Sequence, residues 1–294
     1  MSSALRHRAQ LSQNFLTDPR LVASLLDRFH LGGDGPVYEI GPGTGIITDE
    51  LAPRFRRVVA IEKDAHLAAE LRRRFRACPQ VSIYAGDFLR YHLPSQQYTV
   101  VANIPFNITS AIVAKLTEAG HTPDAAYLIM QSEAANMFAG CPRESLRTVL
   151  LKPWFEVEIV HRFRRSDFVP APRVDVVMLR LRKRGPPLVS QHDRQSYRDF
   201  TTYAYTHWRA AHRNPLSSIF TGRQLHEIER DLGHPILHSP SALTIADWLR
   251  LFDHAKTFAD AQVVAHMAGS ERRLVRQQSR LRKTHRTRVG KCKV

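Results

Sequence analysis

Val37-Tyr38-Glu39-Ile40-Gly41-Pro42-Gly43-Thr44-Gly45 is the stretch on which the fold turns. Its apolar run reads as a buried strand. The alternate glycines that follow let the backbone turn sharply at the strand's end and approach a ligand closely, with N–H groups at a helix N-terminus facing it. A dinucleotide-binding turn would show G-x-G-x-x-G. Here the spacing is G-x-G-x-G with Glu39 two residues ahead of the first glycine, which suits a ligand carrying a zwitterionic amino acid better than one carrying a pyrophosphate.

Outward from this stretch the alternation of strand and helix continues. A second strand at 58–61 ends in Glu62-Lys63, where a carboxylate can take both ribose hydroxyls of a bound nucleoside. A third at 81–85 ends in Gly86-Asp87-Phe88, with Asp87 able to accept from the ligand's adenine amine, and a fourth at 98–102 delivers Asn103. Helical patterns near 20–30, 45–52, 66–76, 109–118 and 132–138 alternate with these strands and with a fifth at 125–130, which predicts a doubly wound α/β layer. Each motif falls at a strand's carboxyl end, where open α/β sheets bind ligands. A single carboxylate of this kind is more often a helix cap or a surface charge, and it is their order along the chain that argues for a site. Two later apolar runs, 149–160 and 174–181, have no clear helix between them and read as an antiparallel edge. After the linker Arg182-Lys183-Arg184-Gly185-Pro186-Pro187 the pattern turns helical through 197–205, 224–232 and 241–258, a small all-helical domain.

The fourth strand runs into Asn103-Ile104-Pro105-Phe106, a sequence suited to grip an amino group on a nucleobase. An exocyclic adenine amine is a poor nucleophile because its lone pair is delocalised into the ring. Two acceptors beside it, the Asn103 side-chain oxygen and the Ile104 carbonyl, would each take one amine hydrogen and leave the lone pair aimed at an incoming methyl group. Pro105 stiffens the turn and Phe106 offers a ring face for stacking. The same four residues also make a polar strand-end turn with a buried Phe, and the surrounding motifs decide between the two readings.

Together these residues resemble the S-adenosylmethionine-dependent rRNA adenine N6-methyltransferases, the group holding the Erm resistance enzymes and the KsgA-type housekeeping dimethyltransferases. The resemblance spans roughly residues 10 to 255. Gln13-Asn14-Phe15-Leu16 is similar to that group's amino-terminal cofactor motif, which implies that Asn14 and Leu16 close over the methionine end of the donor; a helix-capping loop before Asp18-Pro19 is the plainer reading. Phe168-Val169-Pro170-Ala171-Pro172-Arg173-Val174 is similar to the group's second aromatic segment, implying that Phe168 and Phe106 sandwich a flipped adenine, where two prolines alone would mark only an extended loop. Leu150-Leu151-Lys152-Pro153-Trp154-Phe155-Glu156 and the Ile-Pro-Phe form of the clamp favour the Erm branch. Thr109-Ser110 departs from the commoner Ser-Thr of the group, which blurs any finer assignment.

The resemblance implies a Rossmann-like class I methyltransferase fold, with residues 1–184 as the S-adenosylmethionine-binding catalytic domain and 185–268 as a helical RNA-binding domain. The cofactor set would be Asn14, Leu16, Glu39, Gly41, Gly43, Gly45, Glu62, Lys63, Asp87, Phe88 and Asn103. The catalytic set would be Asn103, Ile104, Pro105, Phe106 and Phe168, in a cleft between the domains. The substrate would be one adenine of 23S rRNA or a large-subunit precursor, whose methylation blocks macrolide, lincosamide and streptogramin B drugs. A KsgA-type enzyme of the small subunit, or a non-catalytic RNA-binding assembly or transcription factor on the same fold, stays open at this point.

Composition agrees. The chain has 294 residues, 43% hydrophobic, enough for a core, and a net charge of +16 that calls for a polyanionic partner. Residues 269–294 form a basic tail: from Glu271 onward ten Lys or Arg stand against one acid, supplying +9 of the +16. Arg272, Arg273, Arg276, Arg280, Arg282 and Lys283 are its candidate RNA contacts. The tail is expected to be disordered until it meets RNA, or to be merely solvated. The clusters Arg54-Arg56-Arg57, Arg72-Arg73-Arg74 and Arg162-Arg164-Arg165 read as solvated faces or further phosphate contacts. Cys78, Cys141 and Cys292 are too few and scattered for a disulfide framework, and Pro235 breaks the one tempting metal pair, His234 and His238, so no metal is expected. With no apolar stretch of eighteen residues and no leader pattern, the expectation is a cytoplasmic monomer off the membrane.

Overall fold

The computed structural model describes residues 14–118, 120–208, 216–236 and 239–280, with 279 and 280 described by their backbone alone. It divides into two compact units at Leu188/Val189.

The first unit alternates strands and helices. In chain order they are β1 (Phe15–Leu16), α1 (Pro19–Arg28), β2 (Gly33–Ile40), α2 (Ile46–Leu51), β3 (Phe55–Glu62), α3 (Ala65–Arg74), β4 (Val81–Ala85), β5 (Thr99–Asn103), α4 (Thr109–Glu118), β6 (Ala125–Gln131), α5 (Ser132–Ala139), α6 (Leu146–Leu151), β7 (Phe155–Arg162), β8 (Phe168–Val169) and β9 (Val176–Lys183). Seven strands make one sheet in the order β4-β3-β2-β5-β6-β9-β7. Strands β4 to β6 pair in parallel, and β9 enters antiparallel between β6 and β7. The central strands carry Val37, Val58, Ala60, Val100, Ala102, Leu128 and Met130, all fully buried, as expected for parallel strands covered on both faces.

From β2 the chain winds outward through β3 and β4, then returns to β2's other side with β5 and β6. The strand order therefore reverses at the carboxyl end of β2, the switch point where open α/β sheets hold ligands. The loop Gly41–Gly45 stands at that point. Separately, β1 pairs antiparallel with β8, Phe15 opposite Val169 and Leu16 opposite Phe168.

Most expected elements form. One run differs: residues 149–151 belong to helix α6, and the strand starts only at Phe155. Ser145 and Thr148 close a capping box that starts α6, while Pro153 has no N–H with which to continue it.

The second unit holds α7 (Arg194–Thr206), α8 (Gly222–Leu232), α9 (Ile245–Phe258), α10 (Ala261–Met267) and α11 (Ser270–Arg280). Its core includes Tyr197, Phe200, Trp248, Leu251 and Phe252. Helix α9 begins at Ile245 rather than 241, because Thr244 and Asp247 form its capping box. Helix α11 corrects the expectation of a disordered tail as far as Arg280. Buried Asp199 accepts from the Gly269 and Glu271 amides at 2.9 and 3.0 Å, satisfying donors at the start of α11, and Glu271 pairs with Arg198. Arg282 and Lys283 lie outside the described residues.

Candidate active site

Four parallel strands deliver their carboxyl ends side by side along one edge. Glu39 and Ile40 end β2, Glu62 ends β3, Gly86-Asp87 follow β4, and Asn103 ends β5. A pocket at this edge is lined by 14–16, by Glu39 with parts of 41–47, and by Asn103-Ile104-Pro105-Phe106. All of it belongs to the first unit, and among the described residues no Lys or Arg lines it.

Glu39 is 1% exposed, and its carboxylate accepts from the Thr48 hydroxyl at 2.5 Å. Burial pushes its carboxyl up to about 8, against the Thr48 bond, which lowers it, and with neighbouring Glu62 and Asp49 adding to the rise. A cation arriving above it would favour the ionised form of this otherwise protonated acid. Glu62 is also 1% exposed, and its two oxygens accept from the Gly43 amide at 3.0 Å and the Asp64 amide at 2.9 Å. Its carboxyl too is raised, by burial first. Each oxygen keeps a second lone pair, yet in this conformation Glu62 braces the glycine loop rather than lining the pocket. Asp87 accepts from the Leu89 amide at 2.9 Å and pairs with Lys63 at 3.1 Å; the Leu89 bond chiefly holds its carboxyl below the usual range. Phe88 is buried beneath Lys115, whose ammonium lies 5.3 Å from the ring centroid. Glu62, Lys63, Asp87 and Phe88 thus form the edge beside the pocket without bordering it.

In the loop itself, Gly41, Gly43 and Gly45 have φ of +66°, +57° and +87°, a region open to glycine and strained for other residues. A Cβ on Gly43 would collide with the Phe15 ring, so the amino-terminal segment lies directly on the loop. Gly41 lines the pocket; Gly43 and Gly45 form its backing.

Asn103 Nδ2 donates to the Asn14 carbonyl at 2.7 Å, 89 residues away. A carbonyl can only accept, so this bond fixes which end of the amide is which. Neither Asn103 Oδ1 nor the Ile104 carbonyl receives a hydrogen bond from any described residue. Ile104 itself is anchored by its amide to the Ile129 carbonyl at 3.1 Å, and the turn after it is closed by Ile108 N to Pro105 O at 3.2 Å and Thr109 Oγ1 to Phe106 O at 3.2 Å. Two acceptors are therefore held by fixed backbone beside the Phe106 ring.

Phe168 departs from expectation. It is 2% exposed, packs edge-on against Phe163 with centroids 5.4 Å apart, and belongs to the core that includes Leu16, Leu25 and Ile129. Lying opposite Leu16 across the β1–β8 pair, it packs with a residue that lines the pocket and does not line it itself. Contacts invisible to sequence reading include Phe15 on Gly43, Thr48 on Glu39 and the Asn14–Asn103 bond. Thr48 left no signal beyond being a hydroxyl in an otherwise apolar buried stretch of α2.

Some members of the basic clusters form ion pairs. Arg54 pairs with Asp27 and Glu50, Arg56 with Asp34, and Arg165 with Asp175. In the 150–156 segment Lys152 pairs with Glu144, and Trp154 and Phe155 are core. His234 bonds Asp247 at 3.3 Å, while His238 lies outside the described residues. Among the described residues no three His, Cys, Asp or Glu converge as for a metal, and no helix is long and apolar enough to cross a membrane.

Known proteins match this arrangement. The family described as "Ribosomal RNA adenine dimethylase" matches residues 4–256. An rRNA adenine N-6-methyltransferase of Saccharopolyspora erythraea is 34% identical over 84% of this chain, which spans only 65% of that protein's length. A "Probable ribosomal RNA small subunit methyltransferase A" of Methanospirillum hungatei is 33% identical over 82% of this chain and 96% of its own. The crystal structure of the 23S rRNA methyltransferase ErmE superposes with a TM-score of 0.74 at 32% identity, covering 83% of this chain and all of that one. A family match over most of the chain, on a fold whose strand ends carry the motifs in the expected order, settles its kinship: the chain belongs to the ribosomal RNA adenine dimethylase family.

Proposed function

We propose that this chain transfers a methyl group from S-adenosylmethionine to the N6 amine of one adenine in 23S rRNA or its large-subunit precursor, working as a cytoplasmic monomer and conferring macrolide, lincosamide and streptogramin B resistance. The observation that carries the reading is the pair of acceptors, Asn103 Oδ1 and the Ile104 carbonyl, left without donors among the described residues beside Phe106. Each takes one amine hydrogen of a flipped adenine, and Phe106 carries the base on its ring. Held so, the nitrogen lone pair leaves the ring's conjugation and points away from both acceptors.

The residues fit the donor. Glu39, buried beneath the loop, suits an ammonium group, and a pocket lined without Lys or Arg suits S-adenosylmethionine better than a pyrophosphate. When bound, S-adenosylmethionine supplies an electrophilic methyl on a cationic sulfur, and the bonding pair stays with sulfur as the new N–C bond forms. The acceptors hold the amine in line, and one N6 proton leaves afterwards to solvent, so no general base is needed. The chain's share of catalysis is positioning and exclusion of water. Of the tail residues, Arg272, Arg276, Arg280, Arg282 and Lys283 contribute phosphate contacts, whereas Arg273 is held by the Ala268 and His266 carbonyls and the Ser270 hydroxyl at 2.7, 2.8 and 2.7 Å and serves the start of helix α11 instead.

The Methanospirillum likeness favours a second reading, in which the same chemistry acts on small-subunit rRNA. Incubation of the full chain with labelled S-adenosylmethionine and either unmodified 23S rRNA or undermethylated small subunits, with the modified adenine mapped by primer extension, separates them. Label at one 23S loop adenine supports the proposal, label on small-subunit adenines replaces it with the second reading, and tight RNA binding without label overturns both in favour of a non-catalytic RNA-binding factor.

A further inference from the structure

Three arginines end α3, and they do different things. Arg72 donates from Nε and Nη2 to the Ile83 carbonyl, both at 3.2 Å, tying the helix to β4. Arg73 is exposed. Arg74 reaches back to the glycine loop: Nη1 donates to the Thr44 carbonyl at 2.7 Å, and Nη2 pairs with Asp49 in α2. The two arms of one guanidinium thus straddle Gly45.

A peptide unit is planar, with its C=O and N–H pointing opposite ways. In the Thr44–Gly45 unit both ends are held, the carbonyl by Arg74 and the N–H by the Pro42 carbonyl at 2.9 Å. The plane is fixed, and with it the direction in which Thr44 faces the pocket it lines. Packing reinforces this: a Cβ on Gly45 would come within 2.8 Å of Leu71 Cδ2 and 3.6 Å of Arg74 Nη1, so α3 presses on the loop there. Neither Leu71 nor Arg74 lines the pocket. Arg74 also neutralises Asp49, whose charge adds to the load on buried Glu39.

We propose that Arg74 is a positioning residue for the methyl donor, holding the Thr44-Gly45 peptide in its binding conformation while touching neither donor nor RNA. The proposal rests on the assignment of this pocket to S-adenosylmethionine. Lysine cannot replace it fully, since one ammonium lacks the planar fork that meets a carbonyl and a carboxylate together.

The test is titration calorimetry of S-adenosylmethionine, and of its demethylated product S-adenosylhomocysteine, into the full chain as wild type, Arg74→Ala, Arg74→Lys and Arg73→Ala. RNA affinity at several salt concentrations and the unfolding temperature are measured for each. We expect donor affinity to fall about tenfold or more in Arg74→Ala, the worth of one charge-assisted hydrogen bond. It should fall less in Arg74→Lys and stay unchanged in Arg73→Ala, with RNA affinity constant throughout. Wild-type donor affinity in a folded Arg74→Ala overturns the proposal, and so does a loss confined to RNA binding with a flatter salt dependence, the mark of a residue that pairs with phosphate. Should Arg74→Ala not fold, Arg74→Lys decides, wild-type donor affinity again overturning the idea. Failure of the wild type itself to bind either molecule overturns the donor assignment of the pocket and this proposal with it.

Discussion

Glu39→Gln should make the protein less sensitive to alkaline pH. Glu39 is 1% exposed with its carboxyl pushed up from 4.5 to about 8, chiefly by burial, so near neutrality the folded chain holds a proton there that the unfolded chain has released. The side chain's contribution to stability is then fully present below about pH 4.5 and is lost as pH rises through about 8. At ~1.36 kcal/mol per unit, the loss between pH 5 and pH 8 is on the order of 3 kcal/mol. Glutamine keeps the size and cannot ionise, and the Thr48 hydroxyl can donate to or accept from the amide. Urea midpoints for both proteins at pH 5, 6, 7 and 8 should converge at the acid end and separate at the alkaline end, with the variant more stable. The raised carboxyl of Glu62 is common to both proteins and cancels in the difference. Parallel curves across that range would refute the reasoning, because they would mean Glu39 is charged in the fold throughout.

Asn103→Ala removes one amine acceptor and should lower methyl-transfer turnover by about a hundredfold or more, with RNA affinity unchanged; undiminished turnover would dismiss the clamp. Phe168→Ala should cost ~3–5 kcal/mol of stability as a core deletion. Phe106→Ala should instead weaken the reaction with RNA, by ~1–3 kcal/mol of stacking, and, because the ring is only partly buried against the core, lower the unfolding temperature less than Phe168→Ala does. The opposite pattern in the two variants would return Phe168 to the base-stacking role. Asp199→Ala uncaps α11 and should expose 270–280 to protease, whereas truncation after Gly269 should reduce the log–log salt slope of RNA binding by about 0.7–0.9 for every phosphate the tail had neutralised. An unaltered slope would make that segment a bystander.

What sequence reading captured was local. Strand 37–40, its glycine turn and Glu39 are contiguous, so period and turn chemistry reveal them together, and the parallel order of the sheet follows from alternating elements. Phe168 shows where this stops. A lone aromatic in a proline-flanked loop carries no periodicity to say whether it faces a base or the core, and its burial depends on Phe163, Leu16 and Ile129 from other parts of the chain. The Asn14–Asn103 bond and the Arg74 fork on Thr44 join residues far apart in sequence, invisible to spacing rules. Helix α11 escapes sequence reading for a related reason: its own residues are too polar to predict a packed helix, and the groups that hold it, Asp199 and Arg198, sit some seventy residues earlier.

The pairing of β1 with β8 also fixes an order of events during synthesis. Thr17 donates from both its amide and its hydroxyl to the Asp167 carbonyl, 150 residues downstream. At roughly 5–20 residues per second, a ribosome needs about 8 to 30 seconds to bring out the partner of the segment it made first. Through that interval the glycine loop and its strands can already be closed, while the edge that crosses them waits unpaired in the nascent chain. The pocket's glycine loop forms early and the pairing of its amino-terminal wall comes last, so a stall between α1 and β8 leaves Phe15 and Leu16 without their strand partner, apolar groups a chaperone would have to shield.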